Sequence, residues 1–337
     1  MKKVLILLIS LALLTSCEKE IKFNGEQSDP KLVINSIVAP GQRVEACISK
    51  SYFFLDPANT TTPEDLVASL YVNGNHIGEM MPYVDTVWEV WSMDYHLVSG
   101  FYNDYCPQAG DIVKITATAN GFDEVEGTTS PLPKDVDCSM EVEVTDWHTS
   151  YIYPYFEEYD EYEEDSLLSV WGYLNLTFTI TDPNPGKTDC FRLTTSKNNG
   201  IRIGRNWYHF SFDYDDPVFG ATMTENEFFD ASDLDTRPEG VFTDMLFDGG
   251  SYRLKVKVYF ECEIDEVFDP DFFRVPFMVE HLSKEYYSYL NTCDQGEELM
   301  QFFAEPVQTY SNVTNGFGIV GGRTVNTLWL DLPIEEP

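Results

Sequence analysis

Short runs of alternating apolar and polar residues, turn signals between those runs, and a single stretch at helical spacing predict a mostly β chain. Residues 31–132 read as an immunoglobulin-like β-sandwich. Residues 133–337 read as a second β-rich, sandwich-like domain with one late α-helix near 283–293. The composition can fill two such cores. Hydrophobic residues make up 43% and aromatic residues 15% of 337 residues, so the strong acidity does not imply disorder.

The first element is a leader. Lys2-Lys3 precedes the apolar run Val4–Leu14, interrupted only by Ser10. A basic start followed by a run of this length is a secretory signal peptide, too short to span a bilayer as a helix. Leu14-Thr15-Ser16-Cys17 matches the bacterial lipobox: an aliphatic residue, two small residues that fit the peptidase, and the thiol that carries the lipid. Residues 1–16 are thus expected to be removed, and Cys17 to become a lipidated N-terminus on a tether spanning 17–30. Several acyl chains, at about 0.8 kcal/mol per buried CH₂, hold a protein stably on a membrane. Glu18-Lys19-Glu20 places acids directly behind the lipid, which resembles the surface-export signal of Bacteroidota lipoproteins and implies the outer face; the alternative is a plain solvated tether. Losing Lys2 and Lys3 with the leader takes the formal charge from −36 to −38. Such a chain does not neutralise nucleic-acid phosphates, and anionic headgroups repel it, so the lipid itself must hold it at the membrane.

The strands follow in order. LVINSIV (32–38) and RVEACISKSYFF (43–54) are rich in β-branched and aromatic residues. LVASLYV (66–72) runs into Asn73-Gly74, a tight-hairpin signal. YHLVSGFYN (95–103) and DIVKITATANGF (111–122) complete the first sandwich, and the prolines of SPLPKD (130–135) mark a linker. The second domain opens with MEVEVTDW (140–147). It continues through SVWGYLNLTFTITDPNPG (169–186), FRLTTS (191–196) and SYRLKVKVYFECEI (251–264). The stretch 198–249 reads mainly as long loops, although the alternation within 207–214 suggests a strand with one buried face. In LSKEYYSYLNTC (282–293), Leu282, Tyr286, Tyr289, Leu290 and Cys293 share one helical face behind the N-cap Ser283. Closing strands are expected near VQTYSN, FGIVGG and TVNTLWLDL.

Several C-terminal elements form a pattern: Tyr287-Ser288-Tyr289-Leu290, Glu305-Pro306-Val307, Tyr310-Ser311-Asn312, Asn315-Gly316-Phe317-Gly318 and Gly321. With the early LVINSIV strand, the VNG hairpin and ITDPNPGKTDCFRL, they resemble the Bacteroidota lipoprotein family called domain of unknown function 4249, over nearly the whole mature chain. The resemblance implies an accessory lipoprotein that accompanies a TonB-dependent outer-membrane transporter in nutrient uptake and offers it a small nutrient, peptide or glycan. It carries no catalytic residues over to this chain. The acidic, tyrosine-rich insert at 151–165 departs from the family pattern.

Candidate site residues follow from chemistry. Six cysteines remain besides Cys17, an even number in an oxidising compartment, and Cys47 with Cys106 would staple the first domain. Trp88, Trp91, Trp207 and Tyr208 lie in aromatic-rich stretches, where exposed rings would offer flat faces to a sugar or peptide. In a sandwich such rings more often pack the core. Asp213, Asp215 and Asp216, together with Asp269 and Asp271, are acids that converging loops could turn toward a hard cation such as Ca²⁺. Asp-Pro steps are also ordinary turn formers. The insert 156–165 could meet a cation or a basic partner, or simply remain a solvated loop. The chain lacks HxH, HExxH, GxSxG and a Walker loop, and its five histidines are scattered, so the expectation is a non-enzyme without a resident cofactor. An adhesive surface protein, or a hydrolase built on an unfamiliar site, are the competing expectations.

Overall fold

The computed structural model describes residues 29–52, 62–89, 94–152, 155–156, 161–162, 167–195, 202–203, 206–220, 240–264, 274–293 and 309–332. The first eight strands are β1 (Leu32–Val38), β2 (Val44–Lys50), β3 (Val67–Val72), β4 (Asn75–Glu79), β5 (Met81–Glu89), β6 (Asp94–Asn103), β7 (Val113–Thr118) and β8 (Val125–Thr128). β1, β2, β6 and β5 form one layer. β3, β4, β7 and β8 form the other. The period-2 alternation aims Ile34, Ile48, Leu70 and Ile115 at each other, all of them essentially inaccessible to solvent. The β3–β4 hairpin turns at Asn73 (φ 53°) and Gly74 (φ 80°), the left-handed pair that the Asn-Gly step supplies at little steric cost.

The second core is larger and built on phenylalanine. Its strands are β9 (Cys138–Ile152), the two-residue pair β10 (Tyr155–Phe156) and β11 (Glu161–Tyr162), β12 (Leu167–Thr181), β13 (Cys190–Thr195), β14 (Arg202–Ile203), β15 (Asn206–Asp213), β16 (Val241–Thr243), β17 (Ser251–Ile264) and β18 (Arg274–Leu282). A five-stranded sheet, ordered β14-β15-β17-β12-β9, faces β16, β13 and β18. Phe178, Phe191, Phe210, Phe242, Phe260 and Phe277 fill the space between them and are at most 1% exposed. Two helices are described: the single turn α1 (Pro217–Gly220) and the late α2 (Lys284–Cys293). The expected late helix is therefore present. Ser283 caps it by accepting the Tyr286 N–H at 3.3 Å.

The two sandwiches are joined by a strand, not only by the 130–135 segment. After β19 (Val313–Thr314), the fifteen-residue β20 (Phe317–Asp331) pairs in parallel with β1 through 317–322 and antiparallel with β18 through 323–331. One eight-stranded sheet, β16-β13-β18-β20-β1-β2-β6-β5, thereby runs through both halves. Val313 and Val320 belong to the core of the first sandwich, so residues 31–132 do not close it alone. The expected separate strands at FGIVGG and TVNTLWLDL are this one strand.

The proposed bridge between Cys47 and Cys106 is not formed: both thiols are free and exposed. Val44 of β2 pairs with Asn103, and the Gly41 N–H donates to the Pro107 carbonyl, so Cys106 lies beyond the Val44 end of β2. Cys47 lies three residues the other way, about 10 Å along the strand at 3.3 Å per residue. A disulfide requires Cα atoms within about 7 Å.

Candidate functional site

The alternation that buries one face of the five-stranded sheet leaves the other to solvent. On β12, Val170, Leu174 and Leu176 point inward, while Trp171, Tyr173 and Asn175 alternate outward. The Tyr173 ring lies 5.5 Å from that of Tyr259, its cross-strand partner on β17. Trp171 stacks on His148 of β9 at 4.1 Å. A register shift opposite Gly172, where Asp146 takes φ 52°, lets Trp147 turn inward onto Phe260 while His148 stays outside. Tyr173, His209, Ser211, Phe212, Asp213, Lys257 and Tyr259 line an open groove of about 490 Å³. The Lys257 ammonium sits 4.0 Å from the centre of the Tyr173 ring. Burial and the adjacent Glu261, whose carboxylate accepts the Tyr259 hydroxyl at 3.1 Å, hold that phenol above its ordinary pKa, so Tyr259 is a neutral donor here. The groove offers ring faces, an imidazole, a hydroxyl, one cation and one carboxylate on a rigid sheet, a surface that can bind a polar ligand.

The aromatics expected from sequence fall unevenly on this geometry. Trp207 and Tyr208 are on β15, in register with Glu263 and Cys262, and their side chains lie outside the described set. Trp88 pairs with Tyr95 across the β5–β6 hairpin; its side chain, and Trp91 altogether, lie outside it too. Tyr173 and Tyr259, which do line the groove, had a signal in the sequence: both occupy polar-face positions of strongly alternating strands. That hairpin displays apolar side chains, with Val84 68% and Leu97 76% exposed.

The acids also sort differently. Asp213 lies in the groove opposite Lys257. Asp216 is fully used by the protein: its oxygens accept the Val218 N–H (3.0 Å), the Lys255 N–H (2.9 Å) and the Tyr252 hydroxyl (2.7 Å), which burial and this acid together push up to about 12. Asp215 is exposed. Asp269, Asp271 and most of the 151–165 insert lie outside the described residues, apart from the β10–β11 backbone pair and the end of β9. Among the described residues, the acids that converge are Asp182, Asp244 and Asp248, each offering an oxygen within 4.8 Å of the others. Two turns bring them together. In Asp182-Pro-Asn-Pro-Gly, after β12, Asp182 accepts the Asn184 N–H (2.7 Å) and the Gly249 N–H (2.5 Å). After β16 comes the 3-10 turn Asp244–Leu246, and just beyond it Asp248 accepts the Gly186 N–H (2.6 Å).

Behind this cluster stands Asp189, which takes the Asn184 side-chain amide on both oxygens (3.0 Å each) and His281 Nε2 at 3.3 Å. His281 Nδ1 in turn donates to the Lys134 carbonyl at 2.8 Å. Burial pushes the Asp189 carboxyl up, but His281 and Asn184 outweigh it and hold the group below its ordinary value. Asp244 goes the other way. Burial first, then the charges of Asp189, Asp182 and Asp248, raise it to about 6. The turn residues of DPNPG and DMLFDGG were the sequence signal, read as loop formers and not as ligands.

The family model described as "Domain of unknown function (DUF4249)" matches residues 18–328. No curated protein matches the chain.

Proposed function

The chain belongs to the DUF4249 family, and from that premise we propose that it is a lipid-anchored protein on the outer face of an outer membrane, capturing a ligand for a TonB-dependent nutrient transporter. The observation that carries the anchor is the lipobox Leu14-Thr15-Ser16-Cys17 with acids directly behind it, and the transporter partnership rests on the resemblance to accessory lipoproteins. Two surfaces support it. The groove beside Tyr173 and Tyr259 suits a ligand with flat faces and polar edges, such as a glycan or peptide. The apolar β5–β6 hairpin suits a protein partner, because exposed apolar surface of this kind is a liability unless something covers it. Isolation of the tagged protein from gently solubilised outer membranes, with mass spectrometry of what accompanies it, tests the partnership. A TonB-dependent barrel near one-to-one is the expected result, reduced by Leu97→Asp. Recovery of the lipoprotein alone contradicts it.

A further inference from the structure

Asp244 is only 1% exposed, and its Oδ2 is wholly buried with no hydrogen-bond partner among the described residues. A buried carboxylate oxygen facing other acids is unfavourable unless a proton or a cation joins it. The imidazole of His281 is engaged by Asp189 and the Lys134 carbonyl. Among the described residues, no ion pair reaches Asp182, Asp244 or Asp248. The oxygens of those three residues lie within 4.8 Å of each other, and two oxygens around one Ca²⁺ are at most about 5 Å apart. Asp248 is exposed, so one side of the cluster is open to water, which can fill the remaining coordination positions.

We propose that Asp182, Asp244 and Asp248 bind one Ca²⁺ ion, which clamps the 182–189 turn to the 244–250 turn. Oxygen-only ligands select a hard cation. Ligands drawn from two irregular turns suit Ca²⁺, which accepts variable geometry, better than Mg²⁺, which demands a near-ideal octahedron. The site lies at the β12–β13 and β16–β17 connections, away from the aromatic groove, and does not depend on the uptake reading. Backbone amides already hold Asp182 and Asp248 in place, so the ion meets a preformed cluster.

Calorimetric titration of the EDTA-stripped mature chain with CaCl₂ tests the assignment. The expected result is one ion per chain, with affinity at least tenfold weaker in Asp248→Asn and in Asp244→Asn and unchanged in Asp213→Asn. Asp248 is exposed, so its variant probes the site without disturbing the core. Absence of binding to the unsubstituted chain at millimolar CaCl₂ overturns the proposal. So does binding that both variants leave unchanged, since the ion would then sit elsewhere.

Discussion

Gly318 holds φ at +106°, and a Cβ there would collide with the Ile34 carbonyl across the parallel β1–β20 pair. Both effects act against a side chain, so Gly318→Ala should lower stability by about 2 kcal/mol or more, measured by urea denaturation. This explains part of the NVTNGFGIVGG pattern in physical terms. Asn312 takes the Val320 N–H (2.9 Å) and donates to the Val320 and Thr128 carbonyls, and Asn315 sits at φ 60°. The motif was legible as a motif; what it held against what was not, because its partners are nearly 200 and nearly 300 residues away. The cysteines make the same point. Even parity suggested a bridge, but parity says nothing about which strand ends meet. Cys47 and Cys106 are exposed thiols, whereas burial and neighbouring acids push Cys190 up to about 12. A maleimide at neutral pH should label Cys47 and Cys106 in the native protein, and Cys190 only after unfolding, as peptide mapping would report.

The elements were most legible where their pattern is strictly local. β1 coincides with LVINSIV, and the 207–214 alternation is β15. β18 (RVPFMVEHL) escaped because it is buried on both faces, seven of its nine residues being buried, Glu280 and His281 among them, and so shows no alternation. The helix α2 shows how one residue can serve two elements. Ser283 Oγ accepts the Tyr286 N–H at the start of α2 and also the Gly322 N–H of β20 at 3.0 Å, and Gly321 leaves room for Tyr286 against the strand. Ser283→Ala would lose the cap and strand a buried N–H together, so it should destabilise by about 2 kcal/mol, more than the roughly 1 kcal/mol of a typical cap. Ser283→Thr, which keeps an oxygen at this position, should recover part of the loss in the same denaturation assay.

At the scale of the molecule, mostly β architecture with a late helix follows from alternation and composition. The fusion of two sandwiches through β20 does not, because a strand that pairs in parallel at one end and antiparallel at the other looks like two short strands in sequence. The candidate sites show the same division. Asp213, which lines the groove, was singled out by a reading of local stretches, though as a cation ligand. The aspartate cluster was not, since Asp182 and Asp244 are brought together only by the packing of two turns 62 residues apart. The functional account rests on one placement: the folded chain must stand outside the cell on a lipid at Cys17. Protease treatment of intact cells measures that most directly. The account predicts that the wild-type protein is digested while periplasmic proteins survive, and that Cys17→Ala removes it from the membrane fraction. Full protection of the wild-type protein in intact cells would contradict surface capture.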